Sequence, residues 1–346
     1  MNENKIFDRQ TDTSNISKTI KINFCGFWNS FKKEDNLFTR ILSKPFNVEI
    51  SDSPDFVICS NRGTPFEYMK YDCPRIMFMG ENVSPDFTVF DYVIGFDFLE
   101  FGDRYFRLPF GFFFNDAKPW IPEILSEDDA WRILKEKRHF ANFIYGHESS
   151  ERMRERIFEK LEEYKPVVSP GSFLNNMNTQ AGSAKRCTWQ QKNEYLKYSK
   201  FTIAGDSIRH PGFVTEKIVQ PFEQHSIPIY WGSPKIDEDF NTDAFVWCKG
   251  VDDLDRMLEQ VRFLDTHDDA YIHMLMQCPL HYQMFLKDRY EELEQFLVAI
   301  FEQKPEKAYR RVRYFAAEQY ESYLKEYAKR YERTPKFIHK IKDYLK

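Results

Sequence analysis

The sequence predicts an α/β protein built from two separately patterned units. Short apolar runs bounded by turn residues alternate with amphipathic stretches, the pattern of strands and helices arranged in layers. The length, 346 residues, corresponds to two domains at roughly 150 residues each. The pattern breaks between residues 114 and 137, where Pro119, Pro122 and the acidic group Glu127, Asp128 and Asp129 intervene. The expected division is a loose arm over 1–18, a first domain over 19–136, a second over 137–304, and a helical basic tail over 305–346.

In the first unit, residues 19–24 read as a strand and 37–42 as part of a helix. Strands follow at 47–50, 56–59, 75–79 and 92–96, each a short apolar run closed by turn residues. The second unit opens with a strand at 140–145. A helix runs from Ser149 or Ser150, with serine as N-cap, to Tyr164. A strand at 201–204, a helix at 215–222, a strand at 227–231 and helices at 253–263 and 283–301 complete it. From Glu306 a polar helical pattern places Tyr320, Tyr323, Tyr327 and Tyr331 on one stripe. Pro335 interrupts it, and Phe337, Ile338, Ile341, Tyr344 and Leu345 form a second apolar face. Residues 325–346 carry eight Lys/Arg against three Asp/Glu. Such a tail suits either a helix docked on the body with a solvated basic back, or a peripheral foot on anionic lipid.

Composition removes several classes. With 42% hydrophobic and 30% charged residues, the chain can bury real cores and is not disordered. No uncharged apolar run approaches the ~18 residues of a membrane span. The polar start, without an apolar h-region, predicts no secretory leader and a cytosolic location. A net charge of −5 argues against a nucleic-acid partner. The six cysteines (Cys25, Cys59, Cys73, Cys187, Cys248 and Cys278) form no C-x-x-C and read as reduced, packed thiols. Thirty-four phenylalanines and an aromatic share of 17% suggest apolar clefts and stacking surfaces. A dinucleotide-binding Gly-rich turn, a phosphate loop, a nucleophile elbow and a zinc-protease motif are all absent. The acidic pairs Asp252-Asp253 and Asp268-Asp269 read as solvated helix faces rather than metal ligands.

The chemistry concentrates at Pro211-Gly212-Phe213-Val214-Thr215-Glu216-Lys217-Ile218, followed by Ile227-Pro228-Ile229-Tyr230-Trp231-Gly232-Ser233-Pro234. Pro and Gly let the chain turn into a helix beginning near Val214 or Thr215, whose free N–H groups can seat a phosphate. Glu216 suits the dipole of a first turn and Lys217 opposes it, which makes sense if an anion is bound there.

These segments resemble the α-1,3/4-fucosyltransferases of glycosyltransferase family 10. The resemblance continues in Gly80-Glu81-Asn82-Val83-Ser84-Pro85-Asp86-Phe87, in the segment from Phe90 to Asp97, in the segment from Asp103 to Pro109, and in Thr266-His267-Asp268-Asp269-Ala270-Tyr271. It spans roughly residues 19–303. The resemblance implies a GT-B architecture, with two Rossmann-like domains facing across a cleft, the first for acceptor and the second for GDP-fucose. It also implies inverting transfer of fucose to a glycan hydroxyl without a cofactor or metal.

Such a transfer needs a base for the acceptor hydroxyl, positive charge on the departing diphosphate, and a held sugar ring. Glu81, just beyond the strand at 75–79, matches the family's base position at the carboxyl end of a strand. Arg154 and Lys217 match the phosphate cations, with Arg152 and Arg156 as rivals to the former. Glu216 is expected on sugar hydroxyls, most simply the ribose, and Phe213 against the nucleotide. Tyr230 and Trp231 belong to the strand beneath.

Three departures accompany the resemblance. Relatives often have Tyr at the position of Phe213. Relatives often read Phe-Glu-Asn-Ser or -Thr where this chain has Ala204-Gly205-Asp206-Ser207, so Asp206 or Ser207 must replace the amide that contacts the nucleotide. Ser169-Pro170-Gly171-Ser172 differs from the Ser-Gly-Gly-Arg type. Neither the seven-residue repeats of some bacterial members nor the membrane anchor of animal members is evident. The expectation is a bacterial-type fucosyltransferase acting on a GlcNAc or glucose unit of a surface glycan. The alternatives are a transferase of another GDP-sugar and a silent glycan-binding relative.

Overall fold

The structure, a computed structural model, describes residues 18–113, 120–177 and 187–334. The arm up to residue 17 and the second apolar face of the tail, 335–346, lie outside the described residues.

The first unit is a six-stranded parallel sheet. Its strands are β1 (Thr19–Cys25), β2 (Asn47–Ile50), β3 (Phe56–Ser60), β4 (Arg75–Phe78), β5 (Tyr92–Gly95) and β6 (Tyr105–Arg107), in the order β2-β1-β3-β4-β5-β6. Helix α1 (Leu37–Leu42) opens on Asn36, whose side chain accepts from the Thr39 N–H. Every residue of β3, β4 and β5 is buried, as expected for parallel strands covered on both faces. One face packs Ile22, Phe38, Ile58 and Phe78, the other Val57, Met77 and Val93. Register is fixed by Ile22, which lies opposite Ile50 on one side and Phe56 on the other.

Helix α2 (Glu127–Glu136) leads into the second unit, with Ser126 accepting from the Asp129 N–H. A five-stranded parallel sheet follows: β7 (His139–Asn142), β8 (Val167–Val168), β9 (Ser199–Gly205), β10 (Ile227–Trp231) and β11 (Val246–Trp247), in the order β11-β10-β9-β7-β8. Its helices are α3 (Met153–Glu162), α4 (Trp189–Tyr198), α5 (Glu216–Glu223), α6 (Leu254–Thr266) and α7 (Asp268–Leu275). Two parallel α/β units thus face one another in the GT-B arrangement.

Helix α3 differs from expectation at its start. Arg152, not a serine, precedes its first turn, in the left-handed region at φ 54°. Ser149 is engaged elsewhere, its N–H and hydroxyl both donating to the Glu155 carboxylate at 2.6 and 2.7 Å.

The carboxyl part of the chain crosses back to the first unit. Helix α8 (Phe285–Phe301) sets Phe301 against Phe56 and Phe296 against Tyr92 and Phe106. The boundary expected at residue 304 therefore falls after the crossing. Beyond it the chain makes one 3-10 turn, Pro305–Lys307, and then runs without helix past Asp91, which is fully buried, accepts from the backbone N–H of Arg75, Arg310 and Arg311 at 2.8–2.9 Å and pairs with the buried Arg311 guanidinium. Helix α9 (Ala316–Arg333) consequently begins ten residues later than the polar pattern at Glu306 suggests. It docks on the first unit through Leu324, the Glu321–Arg75 pair at 2.8 Å, and Tyr327 against Phe66. Tyr323 of the same stripe is 63% exposed. Among the described residues no helix is long and apolar enough to cross a membrane.

Several contacts among the described residues set the units against each other. Gly111 N–H donates to the Val214 carbonyl at 2.8 Å. Arg107 grips Asp239 with two bonds of 2.7 Å, and His210 Nε2 lies 3.0 Å from Asp97. Gly212, at φ +82°, brings its backbone so close that a Cβ would stand 2.2 Å from the Phe96 carbonyl oxygen. Only glycine accommodates both demands.

Candidate active site

A cleft of about 430 Å³ opens between the two units. From the first unit come Arg62, Gly80, Glu81 and Phe110, each just past the carboxyl end of β3, β4 or β6. From the second come the segment after β7, Ser207 after β9, and the amino ends of α3 and α5. Ligands of open parallel sheets bind at this end, where loops diverge and helix amino termini converge.

Glu81 is half exposed, and Arg62 Nη1 lies 3.0 Å from its carboxylate. The same Nη1 donates to the Gly80 carbonyl at 3.0 Å, while the guanidinium stands 4.9 Å over the Phe110 ring. Gly80 makes this possible, because a Cβ there would meet the Arg62 shaft at 2.5 Å. The carboxylate is held by one arginine and still open to the cleft.

Arg154 is 2% exposed and lies in the first turn of α3. Its guanidinium sits 4.1 Å over the Tyr145 ring and donates to the His147 carbonyl at 3.2 Å. Tyr145 is itself pinned, donating to the Ile203 carbonyl and accepting from the Gly205 N–H. The rivals Arg152 and Arg156 are exposed and do not line the cleft.

Helix α5 presents Glu216 and Lys217 in its first turn, capped by Thr215. Lys217 Nζ reaches the Thr215 hydroxyl at 3.2 Å and Glu216 at 3.4 Å. Burial works against the charge on Glu216, yet Lys217 and Lys192 together hold its carboxyl below the usual range. Lys192, on α4, is shifted downward chiefly by burial. Phe213 is nearly buried, edge-on to Phe96, with a face on the cleft. Tyr230 and Trp231 lie in the core beneath.

Asp206 departs from the role expected of it. Its carboxylate turns under the cleft floor, accepting from the Thr215 hydroxyl at 2.5 Å and from Tyr230 at 3.2 Å. Burial raises its carboxyl to about 6. Gly232 leaves room for it, since a Cβ there would stand 2.5 Å from Oδ2. Asp206 thus braces the cap of α5, and Ser207 is the member of that segment on the cleft wall.

Cleft residues that were not anticipated include Arg62, Asn142, Tyr145, Lys192 and Gln220. For Lys192 a signal existed. Thr188 and Gln191 form a capping box, which announces helix α4 and its inward face. Among the described residues no group of three or more His, Cys, Asp or Glu could hold a metal ion. Positive charge in the cleft comes from Arg154, Lys217, Lys192 and Arg62, a set suited to a diphosphate.

Two family profiles match the chain in tandem. An alpha-(1,3)-fucosyltransferase FucT N-terminal domain matches residues 22–114, and the glycosyltransferase family 10 (fucosyltransferase) C-terminal region matches residues 134–284. The chain belongs to glycosyltransferase family 10. The alpha-(1,3)-fucosyltransferase FucT of Helicobacter pylori is 28% identical to this family 10 chain over 80% of its length and 65% of that protein. A putative fucosyltransferase of Acanthamoeba polyphaga mimivirus is 27% identical over 40% of this chain and 23% of its own. The chain spans just under two thirds of the first relative and less than a quarter of the second. A crystal structure of an alpha1,3-fucosyltransferase with GDP superposes with a TM-score of 0.65 at 25% identity, covering 86% of this chain and 94% of that one. A second, with GDP-fucose, gives 0.61 at 25% identity, covering 83% and 93%.

Proposed function

We propose that this family 10 chain is a fucosyltransferase that transfers fucose from GDP-fucose, with inversion, to a hydroxyl of a glycan. The carrying observation is that Glu81 from one unit and Arg154 and Lys217 from the other line a single cleft. Glu81 takes the proton of the acceptor hydroxyl as its oxygen bonds to C1 of the sugar. The bond from C1 to the diphosphate breaks on the opposite face, and its electron pair leaves on the phosphate oxygen. Arg154 and Lys217 offset that charge, which makes their contribution greatest as the bond breaks. Glu216 accepts from ribose hydroxyls and Phe213 packs beside the nucleotide. Asp206 acts indirectly, by fixing the cap of α5. No step in this scheme calls for a metal or a cofactor.

The acceptor in this reading is a GlcNAc or glucose unit, joined α-1,3 in a surface polysaccharide or oligosaccharide. The location is the cytosol, with the basic residues 325–346 resting on anionic lipid. The exposed Tyr323 and the excess of basic residues support that last element.

The test is a pair of substitutions. Glu81→Ala is expected to abolish transfer while GDP still binds, and Lys217→Ala to weaken GDP-fucose binding sharply. Loss of GDP binding in the first, or unchanged affinity in the second, refutes the assigned roles.

A further inference from the structure

We propose that Asp97 is a positioning residue that registers the loop of the catalytic base against the donor-side loop, gripping the first through Ser84 and the second through His210; the inference rests on the transfer reading above. Asp97 lies two residues past β5, between two loops that reach the cleft. One follows β4 and carries Glu81; three residues on, the Ser84 hydroxyl donates to Asp97 Oδ1 at 3.3 Å. The other follows β9 in the second unit and puts Ser207 and Phe213 on the cleft wall. His210, midway between those two, has Nε2 3.0 Å from the same Oδ1. A ring nitrogen facing a carboxylate oxygen donates to it. One oxygen thus joins the base's loop to the opposite wall of the cleft.

The surroundings hold Asp97 and His210 in place. The Asp97 carbonyl accepts from the Tyr105 hydroxyl at 2.9 Å. Phe96, its neighbour in the chain, meets the His210 ring edge-on with centroids 5.1 Å apart and the Phe213 ring at 5.0 Å. The side chains of Asp97 and His210 are 19% and 29% exposed, so the bond between them is partly shielded from water and stronger for it. Oδ2, buried, has no partner among the described residues. The middle of the Glu81 loop is less constrained by packing, since Val83 and Ser84 are both exposed. Its bond to Asp97 therefore matters to where Glu81 stands.

The chemistry demands such a link. The base belongs to one unit and the sugar it must face is held by the other, so a small shift between the two loops spoils the attack. A misplacement of about 1 Å can cost about 100-fold in rate. The Arg107–Asp239 pair also joins the units, but it touches neither loop. Asp97 touches both.

The experiment measures transfer from GDP-fucose to a GlcNAc-containing oligosaccharide, and GDP affinity by calorimetry, in the intact chain. His210→Ala should lower kcat about tenfold or more while the dissociation constant for GDP stays within about twofold, because the phosphate cations are untouched. His210→Gln, whose amide nitrogen can take the place of Nε2, should recover most of the loss. Ser84→Ala should lower kcat about 3- to 10-fold. Adding it to His210→Ala should cost no more than about twofold further, since either change breaks the same link. The inference is overturned by a wild-type kcat in His210→Ala, by a joint fall of kcat and GDP affinity, by no recovery in His210→Gln, or by full multiplication of the two single losses. Should the His210 variants fail to fold, Ser84→Ala decides alone, being an exposed change on the other unit: a lowered kcat with unchanged GDP affinity supports the link, and any other result overturns it. Wild type that binds GDP yet turns over no GDP-fucose overturns the transfer reading, and this inference with it.

Discussion

Replacing Gly205 by alanine should loosen the hold on a nucleoside diphosphate without changing a single charge. A Cβ at this position would stand 2.5 Å from Cγ of Arg154 and 3.2 Å from its Cδ. The side chain cannot retreat freely, because the Tyr145 ring lies 4.1 Å from its guanidinium. Tyr145 in turn is bonded to the backbone of Gly205 itself. Overpacking of this kind costs about 1–3 kcal/mol when the surroundings absorb it. Here the cheapest relief is to swing Arg154 off its axis, which removes a charge-assisted contact worth about 1.5–3 kcal/mol to a bound phosphate. At about 1.4 kcal/mol per tenfold, the dissociation constant for GDP should rise about 10- to 100-fold. Isothermal titration reads this directly, with a thermal melt to establish that the variant is folded. Gly250→Ala is the matched control, since a Cβ there meets nothing within 4 Å. A folded Gly205→Ala protein that binds GDP as wild type does would refute the placement of Arg154 on the phosphate.

Asp206→Asn should alter stability in a defined pH window. Its folded carboxyl, at about 6, lies above the unfolded value of about 3.9, so the native state holds its proton more tightly and wild type loses stability as pH rises from about 4 to 6. The full difference is about 3 kcal/mol, and urea melts across that range should show a flatter profile for the variant; matching slopes would sink the assignment. Asp91→Ala strands the buried Arg311 and three backbone N–H groups. The expected loss is about 3–5 kcal/mol in chemical denaturation, and a change below ~1 kcal/mol would contradict the buried network. Arg62→Met should leave stability nearly unchanged, because its pair with Glu81 is substantially exposed. It should lower kcat more than the KM for donor, with Arg62→Lys partly restoring it; a loss confined to donor KM would argue against a role in orienting Glu81.

Much of this arrangement was readable before any fold was known, because parallel strands buried on both faces are dense apolar runs. Residues 47–50 and 227–231 agree with β2 and β10 to the residue, and 37–42, expected within a helix, form α1. A helix start near Val214 or Thr215, with Lys217 in its first turn, followed from local chemistry, and the structure makes Thr215 the cap. What escaped depends on contacts distant in sequence. Arg62 meets Glu81 only because β3 and β4 are neighbours in the sheet, and nothing local to residue 62 announces it. Asp206 or Ser207 was expected to replace the amide that relatives carry in this segment; the hydroxyls of Thr215 and Tyr230 draw Asp206 beneath the floor and leave Ser207 on the wall. Ser149 had the chemistry of a helix cap but is taken by Glu155. The return of α8 could not be read from its apolar stripe, whose partners Phe56, Tyr92 and Phe106 are distant in sequence.

That return has a consequence for the order of biosynthesis. The sheet of the first unit is completed by α8, by Arg311 on Asp91 and by α9, all of which leave the ribosome after the second unit. The second unit, by contrast, has its own strands and the helices between them by the time residue 275 emerges. Of the two units, the one synthesised earlier should therefore reach its final packing later, with Phe56 and Asp91 waiting for partners some 220–245 residues downstream.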